Sequence, residues 1–381
     1  MRNALQYNTL AILVSESPAY SPLAGTGLRE LSRIQSSDFL ININREDIRR
    51  FDSSDFLARK IVAQPSVDAS CSYLLTDGQN EKLLGFNIAP SGDPLSPNSF
   101  LSGLDTDRNL FIAAGGVDDF NSLKGDTAFS GVDFIGIGNC FLSSYSVSAS
   151  VGSFPIAEIG FSASNVRYNT YGDYKYDGEV LGIPNPAINR TGHGDYSNVS
   201  GFNFTGISGG PLISAIQHGG ITVDFENLGK IGGPSLSGFT KEYVPPVNLS
   251  SFSLSNTVER VSLFGLGSSY AYNKKAVFPV MGSFSCEIML NEFKTGTLSE
   301  IICNDSTYDI LVNIDYSRCE ANSPCSTQLA NAMKFKIKEA KLEGCNFSSS
   351  IGSNASINLS YSFANSMDSA GLFASGSFLP E

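Results

Sequence analysis

The chain has 381 residues, 41% of them hydrophobic and 16% charged, which is long enough for two ordinary domains. Its net charge of −12 excludes holding nucleic acid by phosphate neutralisation, because that takes clustered Lys and Arg. The 37 Gly, 26 Phe, absent Trp and missing Ala/Leu/Glu/Lys runs predict an all-β chain with minor helix.

In chain order, the start MRNALQYNTLAILVSES carries an apolar run around Leu10–Val14 that is too short for an export signal. No stretch approaches the roughly 20 apolar residues of a membrane span. Together these predict a soluble chain that stays in the cytoplasm where it is made. A first strand is predicted over 37–44. The charge-dense run NREDIRRFDSSDFLARK (44–60) follows. As a helix it would show Arg45, Arg49 and Arg50 beside Asp47 and Asp55 on a solvated face. As a long loop it would dock on a partner by paired charges, and this second reading is preferred. Strands are then predicted at 66–76, 109–114, 132–138, 140–151 and 156–165, from alternation such as Tyr145, Val147, Ala149 and Val151 against Ser146, Ser148 and Ser150.

Residues 169–244 are rich in Gly, Asn, Tyr and Pro, which predicts a linker or inserted β elaboration ending in a short strand near 219–229. Further strands are predicted near 251–258, 280–290, 309–316, 333–342, 345–351 and 355–363. The best helix candidate is Thr327–Met333, with Ser326 available as its cap.

The chain repeats itself. At a shift of 200, residues 140–165 align without gaps on 340–365 with seven identities in 26 positions, including Ser148/Ser348, Ser150/Ser350 and Gly152/Gly352. At a shift of 215, residues 36–75 align on 251–290 with nine identities in 40, including Arg45/Arg260, Lys60/Lys275 and Cys71/Cys286. The blocks keep their order, and the apolar/polar alternation matches. The reading is an N-terminal arm (1–24), a first β domain (25–168), the connector (169–244), a second β domain (245–368) and a tail (369–381). Each domain is expected to be a small two-sheet sandwich or barrel.

Catalytic motifs fail on chemistry. GISGGPLI (206–213) resembles the nucleophile loop of serine proteases, with Ser208 in the nucleophile's place. The only histidines, His193 and His218, lie close by, whereas in that family the base comes well upstream. The two histidines lack metal-site spacing, and the carboxylate runs at 105–107 and 117–119 read as solvated loops. GIG (136–138) and GLG (265–267) lack the third glycine of a dinucleotide site. No enzyme activity, cofactor or metal is expected. Seven cysteines without a CxxC pair read as small buried hydrophobes, with a Cys319–Cys325 bridge left open.

The hairpin AKLEGCNFSSSIGSNASINLSYSFAN (340–365) and the tract VAQPSVDASCSYLLTDGQNEKLLGFN (62–87) resemble phage tail tube (major tail) proteins. The resemblance covers both repeats and rests on pattern, order and duplication. It implies β-units joined ring-wise into one continuous barrel, so that a two-unit chain closes a trimeric, pseudo-hexameric ring. It further implies a virion structural protein of the phage tail, assembled in the host cytoplasm. Its partners would be further copies of itself and tape-measure, terminator, baseplate and possibly sheath proteins, with DNA only passing through. On this reading Ser146, Ser148, Ser150, Glu158, Ser348, Ser350 and Asn358 face the lumen. The loops 44–61 and 259–276 reach the neighbouring ring through Arg45, Asp47, Arg49, Arg50, Asp55, Arg59, Arg260 and Lys274. The rivals are another phage part (terminator, baseplate ring or capsid decoration protein) and a carbohydrate-binding β-sandwich with Tyr168, Tyr171, Tyr174 and Tyr176 in its loops.

Overall fold

The computed structural model describes residues 10–15, 28–42, 45–49, 51, 56–61, 66–90, 99–105, 107–114, 133–163, 165–169, 216, 221–225, 229–231, 248–264, 271–289, 307–317, 329–349, 354–366 and 371–377. The fold is all-β with one short helix among the described residues. The first half holds β1 (Leu10–Ser15), β2 (Leu28–Glu30), β3 (Ile34–Asn42), β4 (Arg45–Arg49), β5 (Phe56–Ile61), β6 (Ser66–Leu74), α1 (Gln79–Leu83), β7 (Ala89–Pro90), β8 (Arg108–Ala114), β9 (Asp133–Ser150), β10 (Ile156–Ala163) and β11 (Asn165–Asn169). The second half holds β12 (Ile221–Phe225), β13 (Gly229–Ile231), β14 (Asn248–Thr257), β15 (Arg260–Phe264), β16 (Ala271–Ala276), β17 (Val280–Met289), β18 (Tyr308–Ser317), β19 (Leu329–Ser348), β20 (Ser356–Asn365) and β21 (Leu372–Gly376).

Eight strands form one long antiparallel sheet in the order β3–β6–β10–β9–β14–β17–β20–β19. Alternation builds it. In β6, Val67, Ala69, Cys71 and Tyr73 are buried, while Ser66, Asp68 and Ser70 are exposed. The same pleat buries Tyr145, Val147 and Ala149 on β9 and Phe252 and Leu254 on β14. Fully burying each large apolar side chain contributes about 1.5–3 kcal/mol.

Two flank sheets cover the apolar face. The first runs β2–β1–β8–β9–β11, the second β13–β12–β18–β19–β21–β7. Strands β9 and β19 serve both layers. Their first parts pair in a flank sheet and their last parts in the long sheet, and the layers share one continuous core.

The second half repeats the pairing of the first. Ser72 faces Glu158, and 215 and 200 positions on, Glu287 faces Asn358. The register slips coincide too: the extra residue is Gln35 or Ser250 in β3/β14, and Ser143 or Glu343 in β9/β19. Core volumes are traded between halves. Val67 faces Ala163, where the second half sets Gly282 against Phe363. A Cβ on Gly282 would lie 2.3 Å from the Phe363 ring, so glycine leaves the room that the ring fills.

Several sequence expectations change. The strands at 132–138 and 140–151 are one strand, β9, with Asn139 in the left-handed region at its joint. Likewise 333–342 and 345–351 merge into β19, with Glu339 left-handed. Residues 329–333 of the candidate helix are strand instead, because Ala330, Asn331 and Met333 find ladder partners on β18. That pairing outweighs a weak local helix preference. The described residues of the charge-dense run 44–60 are neither helix nor simple loop but two paired antiparallel strands, β4 and β5. The segments set apart as arm and tail contribute strands too, and the connector's expected short strand near 219–229 is β12. β1 pairs with β8, β12 pairs with β18, and β21 pairs with β19.

Candidate assembly surface

The polar face of the long sheet is hydroxyl-rich across nearly all its width. Ser36 and Ser72 (β3, β6), Ser162 (β10), Ser144–Ser150 alternately (β9), Ser251–Ser255 alternately (β14), Ser283 and Ser285 (β17), Ser360 and Ser362 (β20) and Ser348 (β19) share it by register. Cross-strand pairs tie it together: Ser36 with Ser72 at 2.6 Å, Ser255 with Ser283 at 2.7 Å, and the Ser70 hydroxyl donating to Asp38. Its charges are mainly acidic: Asp38, Asp68, Glu158, Glu287 and Glu343, with Lys341 paired opposite Ser362. Of the residues assigned to a lumen, Ser148, Ser150, Glu158, Ser348 and Asn358 lie exposed on this face, and Ser146 is half-buried. Ser350 lies outside the described residues.

The halves meet at β9–β14. Ser144 to Ser150 run antiparallel to Thr257 to Ser251, with Val147 opposite Leu254. Main-chain bonds extend it at both ends, from Val151 N–H to Ser250 O (2.9 Å) and from Val258 N–H to Ser143 O (2.7 Å).

Beside this junction, the hairpin β15–β16 reaches back to the first half. Arg260 donates from Nε to Leu142 O (2.7 Å), from Nη2 to Leu104 O (2.7 Å) and from Nη1 to Lys274 O (2.9 Å), and its guanidinium lies 5.1 Å from the Phe141 ring centre. Lys274, buried, donates from Nζ to Ser162 Oγ (3.0 Å) and Ala163 O (2.9 Å). Burial pulls the Arg260 pKa down to about 10 against the opposing charge of Asp105, and it lowers that of Lys274. The sequence reading sent both residues to a neighbouring ring. The structure engages them within the chain, because their hairpin folds back along its own sheet.

The corresponding first-half hairpin is exposed. Arg45, Arg49 and Arg59 lie at the surface, and Arg59 is held by Asp47 at 2.6 Å. That bond raises the Arg59 pKa and lowers that of Asp47. Arg50 and Asp55 lie outside the described residues, as do Ser208 and both histidines. The sequence offered a signal for the clamp, the identical column Arg45/Arg260, but not its target.

Among the described residues the long sheet ends in two open edges, β3 and the last part of β19. Apolar-face residues at these ends are less covered than their counterparts at the internal junction. Phe39 and Ile41 on β3 are half-buried, whereas Leu254 and Asn256 on β14 are buried, and those on β19 are exposed. Phe347 is 60% exposed, whereas Val147 is 0%. Cys345 is exposed where Tyr145 is fully buried. Single-sequence patterning gives no sign of which strand lacks a neighbour.

Under the sheet, Glu81 of α1 is fully buried and accepts hydrogen bonds from Tyr73 Oη (3.0 Å) and Tyr145 Oη (3.2 Å). Burial pushes its carboxyl up to about 7. Among the described residues no group of three or more His, Cys, Asp or Glu could hold a metal ion. No helix among them is long and apolar enough to cross a membrane.

The fold defines an all-β protein whose principal sheet crosses from one half of the chain to the other and, among the described residues, has no further strand at either end. No family model matches the chain, and no curated protein does. Solved structures similar to parts of it include a chain from the virion of a native gene transfer agent particle. It is 10% identical at a TM-score of 0.26, with 44% of this chain and 100% of that one covered. A chain of the anti-feeding prophage baseplate is 11% identical at 0.26, covering 42% and 93%. An Hcp protein is 9% identical at 0.21, covering 41% and 96%.

Proposed function

We propose that this chain is a structural subunit of a phage tail tube, built from two copies of one β-unit and assembling ring-wise around a lumen. The observation that carries the reading is the β9–β14 junction. It joins two similarly paired halves edge to edge, and among the described residues edges of the same two kinds, β3 and the last part of β19, are left without a further strand. Exposed edges invite pairing with another chain, and closing the sheet on itself removes them. Three chains then complete a pseudo-hexameric ring, and rings stack into a tube. The hydroxyl face, with Ser146, Ser148, Ser150, Glu158, Ser348, Ser350 and Asn358, lines the lumen. Its acidic residues disfavour phosphate adhesion, so DNA slides past. The role is non-catalytic. The partners are further copies and other tail proteins, and the site of action is the virion, after assembly in the host cytoplasm.

Electron microscopy of the purified protein, with and without tail initiation proteins, tests the reading. Stacked rings with a central channel are the expected result. Rings that never stack would assign the chain to a terminator-like part instead. A chain that stays monomeric under every condition overturns the reading.

A further inference from the structure

The geometry points to the internal junction as the template for the joint between chains: β3 of one copy pairs with β19 of the next in the β9–β14 register, and Arg45 and Arg59 clamp that joint on the neighbour's Leu342–Glu343 bulge and Ser362. This inference deepens the tube reading and rests on its premise that copies meet edge to edge.

The register follows by substitution. Moving β9 forward by 200 and β14 back by 215 turns the pair Val147–Leu254 into Phe347–Phe39, and Tyr145–Asn256 into Cys345–Ile41. The same shifts preserve the facing pairs and bulges of the strands beside the joint, so the edges arrive with matching pleat. The exposed Phe347 then lies against Phe39, as its buried counterpart Val147 lies opposite Leu254.

The clamp follows in the same way. Arg260 corresponds to Arg45, and Lys274 to Arg59. Their partners Leu142 O, Ser162 Oγ and Ala163 O correspond to Leu342 O, Ser362 Oγ and Phe363 O. The two sites differ in charge. Ser143 is replaced by Glu343, whose carboxylate already accepts from the Ser362 hydroxyl. Phe141, under Arg260, is replaced by Lys341, whose like charge Glu343 offsets beside Arg45. Arg59 exchanges Asp47 for Glu343 and Ser362 of the next copy. A joint between separately diffusing chains gains in encounter and partner choice from opposite charges, whereas a joint within one chain needs no such steering.

The register is tested with Ile41→Cys in the full chain, which places a thiol opposite the native Cys345 of the next copy. Under mild oxidation, a non-reducing gel is expected to show dimers and trimers. Ile41→Cys/Cys345→Ser, and Leu40→Cys on the opposite face, should give none. The clamp is tested by charge exchange. Arg59→Glu and Glu343→Arg each should reduce assembly at least tenfold with the fold intact by circular dichroism, and the double variant should restore it. Absence of cross-linked species, equal cross-linking through Leu40→Cys, or failure of the exchange to rescue overturns the inference. Tubes without the cross-link sink the register alone. Cross-linked chains without tubes sink the tube reading alone.

Discussion

Asn139 and Glu339, 200 positions apart, both adopt left-handed backbone, with φ of 54° and 55°. Each N–H is held at 3.1 Å by a side-chain oxygen from 30 residues earlier, Asn109 for the first and Asp309 for the second. Both mark the place where a long strand leaves its flank sheet for the long sheet. β-branched residues are poorly tolerated at such φ values. Asn139→Val and Glu339→Val are each expected to cost about 1–2 kcal/mol, and the glycine replacements should be tolerated. Urea unfolding of the four variants checks this.

Arg260 and Arg45 should part company in stability measurements. Arg260→Ala strips three carbonyl oxygens of a charged donor, and the expected cost is roughly 2–4 kcal/mol. Arg45→Ala removes an exposed side chain, and the isolated chain should change by less than about 0.5 kcal/mol. A thermal melt of each variant at a concentration below assembly separates them. Equal losses would contradict the placement of the two hairpins.

Glu81 sets a pH dependence with a definite sign. Its carboxyl is raised to about 7 in the fold from an ordinary 4.5. Below pH 4.5 the group is protonated in both states and has no effect. Between about 4.5 and 7 the unfolded chain releases its proton first, so stability falls as pH rises. The full loss is present above 7 and amounts to about 3 kcal/mol. Glu81→Gln should flatten the melting temperature across this window and raise it at pH 8 relative to the parent. A parent whose stability does not fall between pH 4.5 and 7 would sink this assignment.

Thiol labelling should divide the described cysteines. Burial pushes Cys71, Cys140 and Cys286 up to about 12, which suppresses the thiolate, while Cys345 is exposed on an open strand. Iodoacetamide at pH 8 is expected to modify Cys345 and spare the other three, as read by peptide mapping. In assembled material Cys345 should be protected.

Gly282→Val tests the exchange of volume between halves. The new side chain would meet the Phe363 ring and Asn256 Oδ1. Overpacking should destabilise the chain by about 1–3 kcal/mol, and pairing it with Phe363→Ala, which recreates the Val67–Ala163 combination, should recover part of the loss. Chemical denaturation of the single and double variants measures the coupling.

The strands were legible in the sequence because burial on one face writes a period of two, and β6, β10, β17 and β20 lie within two residues of their predicted bounds. Other features depend on partners distant in sequence. The apolar run at Leu10–Val14 reads as too short for a targeting segment, yet it is a strand beside β8. Strands β9 and β19 looked like two each, because a left-handed residue interrupts the alternation at their middles. The hairpin β4–β5 carries charges on both faces, so its ladder leaves no apolar stripe to read. The matched column Arg45/Arg260 was visible, but whether such a residue reaches its own chain or a neighbour is settled by three-dimensional connectivity.

The β9–β14 junction also bears on how assembly responds to concentration. A joint formed inside one polypeptide draws on no free partner and loses no translational freedom when it closes. In a ring built from such chains, every second lateral joint is already made at translation. Fewer independent bodies must meet, and the onset of assembly should be less steep in protein concentration than for single-unit subunits of the same ring.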